Sequence, residues 1–174
     1  HQLLVNWTSI FEAEPLWLRG EREQCGVSSR YDQPELLGPD RWAALIAAWK
    51  LEHAACIVVN AGTTLTVDAL SHEGVFLGGI IVPGLELMLD ALAHGTAQLK
   101  RAPGAFVYFP DNTADAIMSG AVNALAGAID RMSAYMAETG QGTPPLLLSG
   151  GSAALLQPRL NARCTRVDNL VLDG

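Results

Sequence analysis

The sequence predicts an α/β fold in which a mixed β-sheet is flanked by helices. Three segments rich in apolar and β-branched residues follow one another with only short turns between them, at 56–60, 64–70 and 74–82. Two segments with helical periodicity come next, and then a short apolar strand at 146–148 that ends in Ser-Gly-Gly. Because the first three strands arrive without helices between them, the order does not fit a simple doubly wound sheet.

The segments before the first of these strands predict short strands, a loop and a helix. Residues 3–5 and 16–18 are strand candidates, whereas 20–38 is polar and rich in turn residues and therefore predicts a loop. Residues 41–51 repeat apolar side chains at helical spacing. Asp40 precedes this helix at the N-cap position, where aspartate is a preferred residue.

The segments after the three strands predict two further helices. Pro83 and Gly84 end the third strand, residues 85–99 predict a helix, and 106–109 fit either a short strand or an extended link. Asn112 can cap a long helix that runs to Glu138. The remaining predictions are Asp115 at N3 of that helix, a loop at 140–145, a helix at 153–160, and a strand or short helix at 167–172.

The composition is that of a globular protein with an acidic surface. A chain of 174 residues supports one domain or slightly more. Its formal net charge of −7 argues against a nucleic-acid-binding surface, and no apolar run is long enough to span a membrane. Three widely spaced cysteines without a CxxC pair indicate a reduced, cytoplasmic compartment. We therefore expect neither nucleic acid nor membrane as a partner.

The segment 60–68 is the strongest functional signal, because a small-residue turn joins two buried strands there. Gly62 lets a ligand approach the backbone closely, and neighbouring N–H groups with the Thr63 hydroxyl can hold a phosphate. An ordinary glycine hairpin explains the same residues. Lys50 and Lys100 are the only lysines, so a phosphate site here must use backbone N–H groups, hydroxyls, a metal ion or arginine.

Five segments resemble, in the same order, the motifs of one enzyme family. Residues 60–68 resemble the phosphate motif DxGTAxTxD, 31–41 resemble Y..P..LGxDR, 78–84 resemble GGxIxPG, 112–120 resemble NTxxAIxxG, and 149–151 stand where the family has the adenosine motif TGG. On these matches the chain resembles the type III pantothenate kinases, which include the Bvg accessory factors. That family belongs to the acetate and sugar kinase/Hsp70/actin superfamily.

The resemblance implies the domain organisation. Residues 54–174 are expected to form a ribonuclease H-like domain. Residues 1–53 are expected to be the remainder of an N-terminal half-domain, with the acceptor-substrate loop and a linking helix. The family's first phosphate motif, DxGNTxxK, does not occur in the sequence, so we expect this chain by itself to be an incomplete and inactive kinase.

The resemblance also implies the reaction, ATP-dependent phosphorylation of pantothenate to 4′-phosphopantothenate at the start of coenzyme A synthesis. Asp40 is implied as the residue that accepts the hydroxyl proton, and a helix N-terminus keeps such a carboxylate ionised. A helix cap is the competing interpretation. Arg41 is expected to bind either the pantothenate carboxylate or the transferred phosphoryl group. The other implied acceptor contacts are Tyr31, Gly38, Pro39 and Thr113.

The resemblance assigns the remaining ligands to the glycine-rich turns and two polar side chains. ATP is implied at Gly62, Thr63, Ser149, Gly150 and Gly151, and Mg²⁺ at Asp68, directly or through water. Asn60 stands where the family has an aspartate that binds a monovalent cation, K⁺ or NH₄⁺. An amide keeps the oxygen but loses the charge, so we expect a weakened cation site.

Family members are homodimers, and the long helix at 112–138 is expected to form either such an interface or contacts within one subunit. Two other functions remain open. One is a kinase of the same superfamily that acts on a sugar or acetate, and a substrate screen would distinguish it. The other is a non-catalytic regulatory protein that kept the fold, for which Asn60 is the sequence indication.

Overall fold

A seven-stranded mixed sheet with helices on both faces forms the described part of the chain. The computed structural model describes residues 17–96, 99 and 102–174. The strands are β1 (Glu23–Gln24), β2 (Val27–Ser29), β3 (Cys56–Ala61), β4 (Thr64–Leu70), β5 (Val75–Pro83), β6 (Leu146–Ser149) and β7 (Cys164–Arg166). The helices are α1 (Pro39–Glu52), α2 (Leu85–Gly95), α3 (Thr113–Glu138), α4 (Ala153–Leu156) and α5 (Leu170–Asp173).

The centre of the sheet is the predicted antiparallel unit of β3, β4 and β5. The strand order is β1-β2-β5-β4-β3-β6-β7. Strand β6 pairs in parallel with β3, and β2 pairs in parallel with β5. As a result the end of β6 lies beside the end of β3, next to the β3–β4 hairpin. The predicted mixed α/β sheet is therefore confirmed.

Alternation along the strands separates two cores. Val59 and Val67 point to the face covered by α3, while Val58 and Phe76 point to the face covered by α1. Asn60, Thr66 and Asp68 fall on the α1 face by the same alternation. The polar residues of β3 and β4 therefore lie on the side of the sheet that carries α1, and α3 covers the apolar side.

Several predicted elements have different bounds in the structure. Helix α1 begins at Pro39 and its N-cap residue is Gly38, so the N-cap assigned to Asp40 is wrong and this residue lies in the first turn. Proline suits the first helical position because it has no N–H to satisfy. Helix α2 ends at Gly95, earlier than predicted.

The predicted loop at 20–38 is wrong in part, because it contains β1, β2 and a 3₁₀ turn at Pro34–Leu36. Trp17 and Leu18 do not form a strand, while residue 16 and the strand candidate at 3–5 lie outside the described residues. The segment 106–109 is a link without strand pairing, and its last two residues form a bend. Strand β7 was not predicted, and the alternative of a short helix near the C-terminus is confirmed by α5.

The predicted start of the long helix is confirmed. The Asn112 side-chain oxygen accepts a hydrogen bond from the Asp115 backbone N–H at 3.0 Å, which satisfies one of the N–H groups left free at a helix start. The domain boundary placed at residue 53/54 stays a prediction, although β2 and β5 join both sides of it in one sheet.

Candidate functional site

The tip of the β3–β4 hairpin is exposed and is supported by the turn that precedes α2. Gly62 and Thr63 are both exposed. The Gly62 N–H donates to the Thr64 carbonyl at 3.1 Å, so this N–H closes the hairpin, and a phosphate contact must come from its neighbours. The Gly84 N–H donates to the Thr63 carbonyl at 2.9 Å, and a Cβ at position 84 would lie 2.5 Å from that oxygen. Glycine at 84 is therefore required by its contact with the tip.

The turn after β6 packs against the same end of the sheet. Ser149 is the register partner of Asn60 in the parallel β3–β6 pair. Gly150 adopts a φ of +100°, and a Cβ there would lie 2.6 Å from the Ala61 carbonyl group. The Ser152 N–H donates to the Ala61 carbonyl at 3.1 Å, which fixes the turn on β3. The structure thus brings the predicted ATP contacts of both segments to one end of the sheet.

Open space adjoins this turn. A cavity of about 540 Å³ is lined by Ser149, Gly150 and Gly151 together with residues 168–172 near the C-terminus. A Cβ at Gly151 would meet nothing within 4 Å. The C-terminal lining was not predicted from the sequence, because Asp168 and Asn169 carry no motif that would single them out.

Asn60 lies beneath the hairpin tip. Its side-chain oxygen is 3.8 Å from the position that a Cβ on Gly62 would occupy, and the residue is partly buried. It offers one neutral oxygen beside the turn. Among the described residues, no group of three or more His, Cys, Asp or Glu side chains is arranged to hold a metal ion.

Asp40 lies in the first turn of α1, where its carboxylate is exposed. Its Oδ1 folds back toward Gly38, because a Cβ on that residue would come within 2.7 Å of the oxygen. Asp40 is therefore accessible, as a proton acceptor must be.

Arg41, the next residue, is buried and forms an ion pair with Asp68. The two residues are 6% and 1% exposed. Arg41 Nε donates to the two Asp68 carboxylate oxygens at 3.2 and 3.1 Å, and Nη2 donates to Oδ1. Arg41 Nη1 donates to the Tyr31 hydroxyl at 3.2 Å. The structure therefore joins three of the predicted site residues through one guanidinium group.

Two residues that the sequence reasoning missed complete this cluster. The Phe76 ring is 5.2 Å from the Tyr31 ring, and the Arg41 guanidinium carbon is 5.6 Å from the Phe76 centroid, within the range of a cation–π contact. Gly79 pairs with Asp68 across β4 and β5. The GGxIxPG match contains Gly79 and could have indicated it, whereas a phenylalanine in a strand carries no such signal.

The electrostatics of the pair follow from its burial. Desolvation raises the pKa of Asp68, the hydrogen bonds and charge of Arg41 oppose that rise, and the nearby charge of Asp40 adds to it. Burial alone would lower the pKa of Arg41, but hydrogen bonds and charge from Asp68, and then from Tyr31, raise it above its ordinary value. Arg41 is therefore a permanent cation next to the Asp40 backbone.

Thr113 does not join the other predicted acceptor residues. It begins α3, which covers the opposite face of the sheet from α1, and it lines a mainly apolar cavity of about 830 Å³ between α2 and α3. Tyr31 lines a different cavity of about 420 Å³ with the residues that follow β2. Within one subunit the structure therefore separates Thr113 from Tyr31, Asp40 and Arg41.

Comparison with known proteins decides the family. A family model described as type III pantothenate kinase matches residues 1–135 of the chain. The chain belongs to the type III pantothenate kinase family. The match confirms the predicted family and spans four of the five motif segments, since residues 149–151 lie beyond it. In the described part of the chain, no helix is both long and apolar enough to span a membrane.

Curated type III pantothenate kinases resemble the chain over nearly its whole length. The protein from Nitrosospira multiformis is 52% identical over 99% of this chain and 64% of its own length. The protein from Aromatoleum aromaticum is 54% identical over 92% of this chain and 65% of its own length. The protein from Dechloromonas aromatica is 43% identical over 98% of this chain and 69% of its own length. The chain thus spans about two thirds of these pantothenate kinases.

A solved structure supports the fold. The crystal structure of a conserved Baf family protein from Campylobacter jejuni matches with a TM-score of 0.58 and 24% sequence identity, over 85% of this chain and 65% of that one. This similarity supports the mixed α/β fold of the chain.

Proposed function

We propose that the full-length protein is a pantothenate kinase, which transfers a phosphoryl group from ATP to the primary hydroxyl of pantothenate. One observation carries the proposal. Asp40, an exposed carboxylate in the first turn of α1, directly precedes a buried arginine whose Nη1 is bonded to Tyr31. A proton acceptor and a permanent cation are thereby held side by side at a rigid helix start.

In the proposed reaction, the Asp40 carboxylate takes the proton of the pantothenate hydroxyl as that oxygen attacks the γ-phosphorus of ATP. The bond from the γ-phosphorus to the bridging oxygen breaks, and ADP leaves. Gly38 leaves room for the carboxylate, and Pro39 fixes the backbone before it. The Tyr31 ring offers an apolar face for the branched part of pantothenate, and its hydroxyl lies beside Arg41.

ATP is proposed to bind at the end of the sheet where the two glycine turns meet. Thr63 offers an exposed hydroxyl for the phosphates beside Gly62. Ser149, Gly150 and Gly151 line the cavity that would take the adenosine. The close approach of Gly150 to Ala61 supports this role, because a backbone-built turn leaves room for a ligand against it.

We propose that the reaction uses two cations, Mg²⁺ on the nucleotide and a monovalent cation near the β3–β4 hairpin. Mg²⁺ bound to ATP would neutralise charge on the β- and γ-phosphates. Asn60 would supply one neutral oxygen to a K⁺ or NH₄⁺ ion near the hairpin, so that ion should bind more weakly than it would to an aspartate.

We also propose a cytoplasmic homodimer that binds neither nucleic acid nor membrane. The net charge of −7 disfavours binding to the phosphate backbone of nucleic acid or to an anionic membrane surface. Helix α3 presents Thr113 and an apolar cavity on the side of the sheet away from Arg41. A second subunit packed along α3 would let Thr113 serve the acceptor site of its partner.

Turnover by the purified full-length protein tests the proposal. We expect 4′-phosphopantothenate to form from pantothenate and Mg²⁺-ATP in the presence of K⁺. In parallel reactions, acetate and simple sugars should not be phosphorylated. Turnover of acetate or a sugar instead would establish another kinase of the superfamily. Binding of both ligands without product would favour the regulatory alternative.

A further inference from the structure

The Asp68 carboxylate is enclosed by the protein. The residue is 1% exposed, and both of its oxygens accept hydrogen bonds from Arg41. Mg²⁺ requires near-octahedral oxygen coordination and keeps several of its waters, so it needs a carboxylate that water can reach. The geometry of Asp68 therefore favours contact with a side chain over contact with a metal ion.

Gly79 provides the space that the ion pair occupies. It lies opposite Asp68 in the antiparallel β4–β5 pair. A Cβ at this position would overlap Asp68 Oδ1 and would lie 2.9 Å from Arg41 Nη2 and 2.6 Å from the Val67 carbonyl oxygen. The structure gives no positive φ at Gly79, so the requirement is for room and not for an unusual backbone conformation.

The ion pair fixes the direction of the guanidinium group. Asp68 occupies the edge formed by Nε and Nη2, and the remaining nitrogen, Nη1, donates to Tyr31. Tyr31 lines the cavity of about 420 Å³ that follows β2. Because Arg41 is buried without another counter-charge in these contacts, its orientation depends on Asp68.

We propose that Asp68, seated over Gly79, is a positioning residue for the acceptor substrate. It holds Arg41 so that Nη1 and the Tyr31 hydroxyl together face the pantothenate side of the site. The inference rests on the proposed pantothenate kinase activity, and it replaces the Mg²⁺ role that the sequence predicted for Asp68. Gly79 also belongs to the acceptor site in this proposal, because a side chain at that position would displace the ion pair.

Three variants of the full-length protein test this inference. Asp68→Asn removes the charge that orients Arg41. Asp68→Glu keeps the charge but moves it by one methylene, and Gly79→Ala keeps every charge but takes the space of the pair. The steric control is Gly95→Ala, because Gly95 is the exposed last residue of α2 and a Cβ there meets nothing within 4 Å.

Steady-state kinetics supply the readout. We expect the KM for pantothenate to rise roughly 10- to 100-fold in each of the three variants, the size expected when a buried charged hydrogen bond is lost or displaced. The KM for ATP and the Mg²⁺ concentration at half-maximal rate should change by less than about twofold, the scatter of near-neutral changes. Gly95→Ala should match the protein without substitutions in all of these quantities.

Two results would overturn the inference. The first is an unchanged KM for pantothenate in the variants that fold. The second is a raised Mg²⁺ requirement in Asp68→Asn, which would restore the metal role. If Asp68→Asn does not fold, the two charge-conserving variants still decide the matter. If the protein without substitutions did not phosphorylate pantothenate, the proposed function on which the inference rests would be rejected instead.

Discussion

The two ends of the candidate site are built in different ways. At the hairpin end, backbone segments meet, since Gly84 contacts Thr63 and Gly150 contacts Ala61. At the acceptor end, charged side chains from distant parts of the chain meet, as Arg41 and Asp68 are 27 positions apart. The hairpin end therefore depends mainly on the absence of Cβ atoms, whereas the acceptor end depends on paired charges as well as on the missing Cβ of Gly79.

This difference indicates how each end should respond to substitution. A glycine turn loses its geometry when any side chain is added, whatever the chemistry of that side chain. A buried ion pair loses its geometry when one charge is removed, because the remaining charge is left without a partner. The three experiments below compare substitutions at the acceptor end with substitutions at the hairpin end.

The largest effect is expected at the acceptor end, for Asp40→Asn in the full-length protein. We expect kcat to fall by a factor of roughly 10²–10⁴, the contribution of a general base, while ATP affinity changes little. Steady-state kinetics and a separate nucleotide-binding titration measure the two quantities. Glu35→Gln is the control, because Glu35 is an exposed carboxylate in the 3₁₀ turn just before α1. Near-normal turnover in Asp40→Asn would show that Asp40 is not the proton acceptor and only stabilises the start of α1.

A smaller effect is expected at the hairpin end, for Gly150→Ala. The new Cβ would meet Ala61 at 2.6 Å, and the φ of +100° disfavours alanine, so the free energy of unfolding should fall by about 1–3 kcal/mol and ATP should bind more weakly. Chemical denaturation and an ATP titration measure these changes.

Gly151→Ala is the matched comparison, since its Cβ would meet no atom within 4 Å. Its free energy of unfolding should stay near that of the unchanged protein, so any effect must come from contact with the nucleotide. If both substitutions lowered the free energy of unfolding equally, the close contact between Gly150 and Ala61 would not be what holds the turn in place.

The smallest effect is expected where a charge is added to the hairpin end, in Asn60→Asp. Asn60 lies beneath the tip, and its oxygen carries no net charge. The unchanged protein should respond weakly to K⁺, and the variant should respond more steeply, because a carboxylate attracts the cation more strongly. Initial rates across a K⁺ series at constant ionic strength measure the response. Asn123→Asp, on the exposed side of α3, controls for the added charge.

A steep K⁺ response in the unchanged protein would show that other oxygens form the cation site.

Local patterns determined the central strands, the long helices and the glycine turns of this protein. Residues 56–70 alternate and turn within a short stretch, and Asn112 caps α3 through a backbone N–H only three residues away. Such features depend on neighbours in the chain, so the sequence by itself was sufficient to predict them. The same holds for the glycine turns at 62 and 150, whose motif spacing also indicated the family.

Only the tertiary structure decided the features that depend on distant partners. The short polar strands β1 and β2 exist because β2 pairs with β5, and Pro39 places the start of α1 ahead of Asp40. The direction of Arg41 is set by Asp68, which lies beside Gly79 on the face of the sheet that α1 covers. A hydrogen bond or ion pair between residues far apart in the chain has no local pattern, because the fold alone brings the two groups within bonding distance.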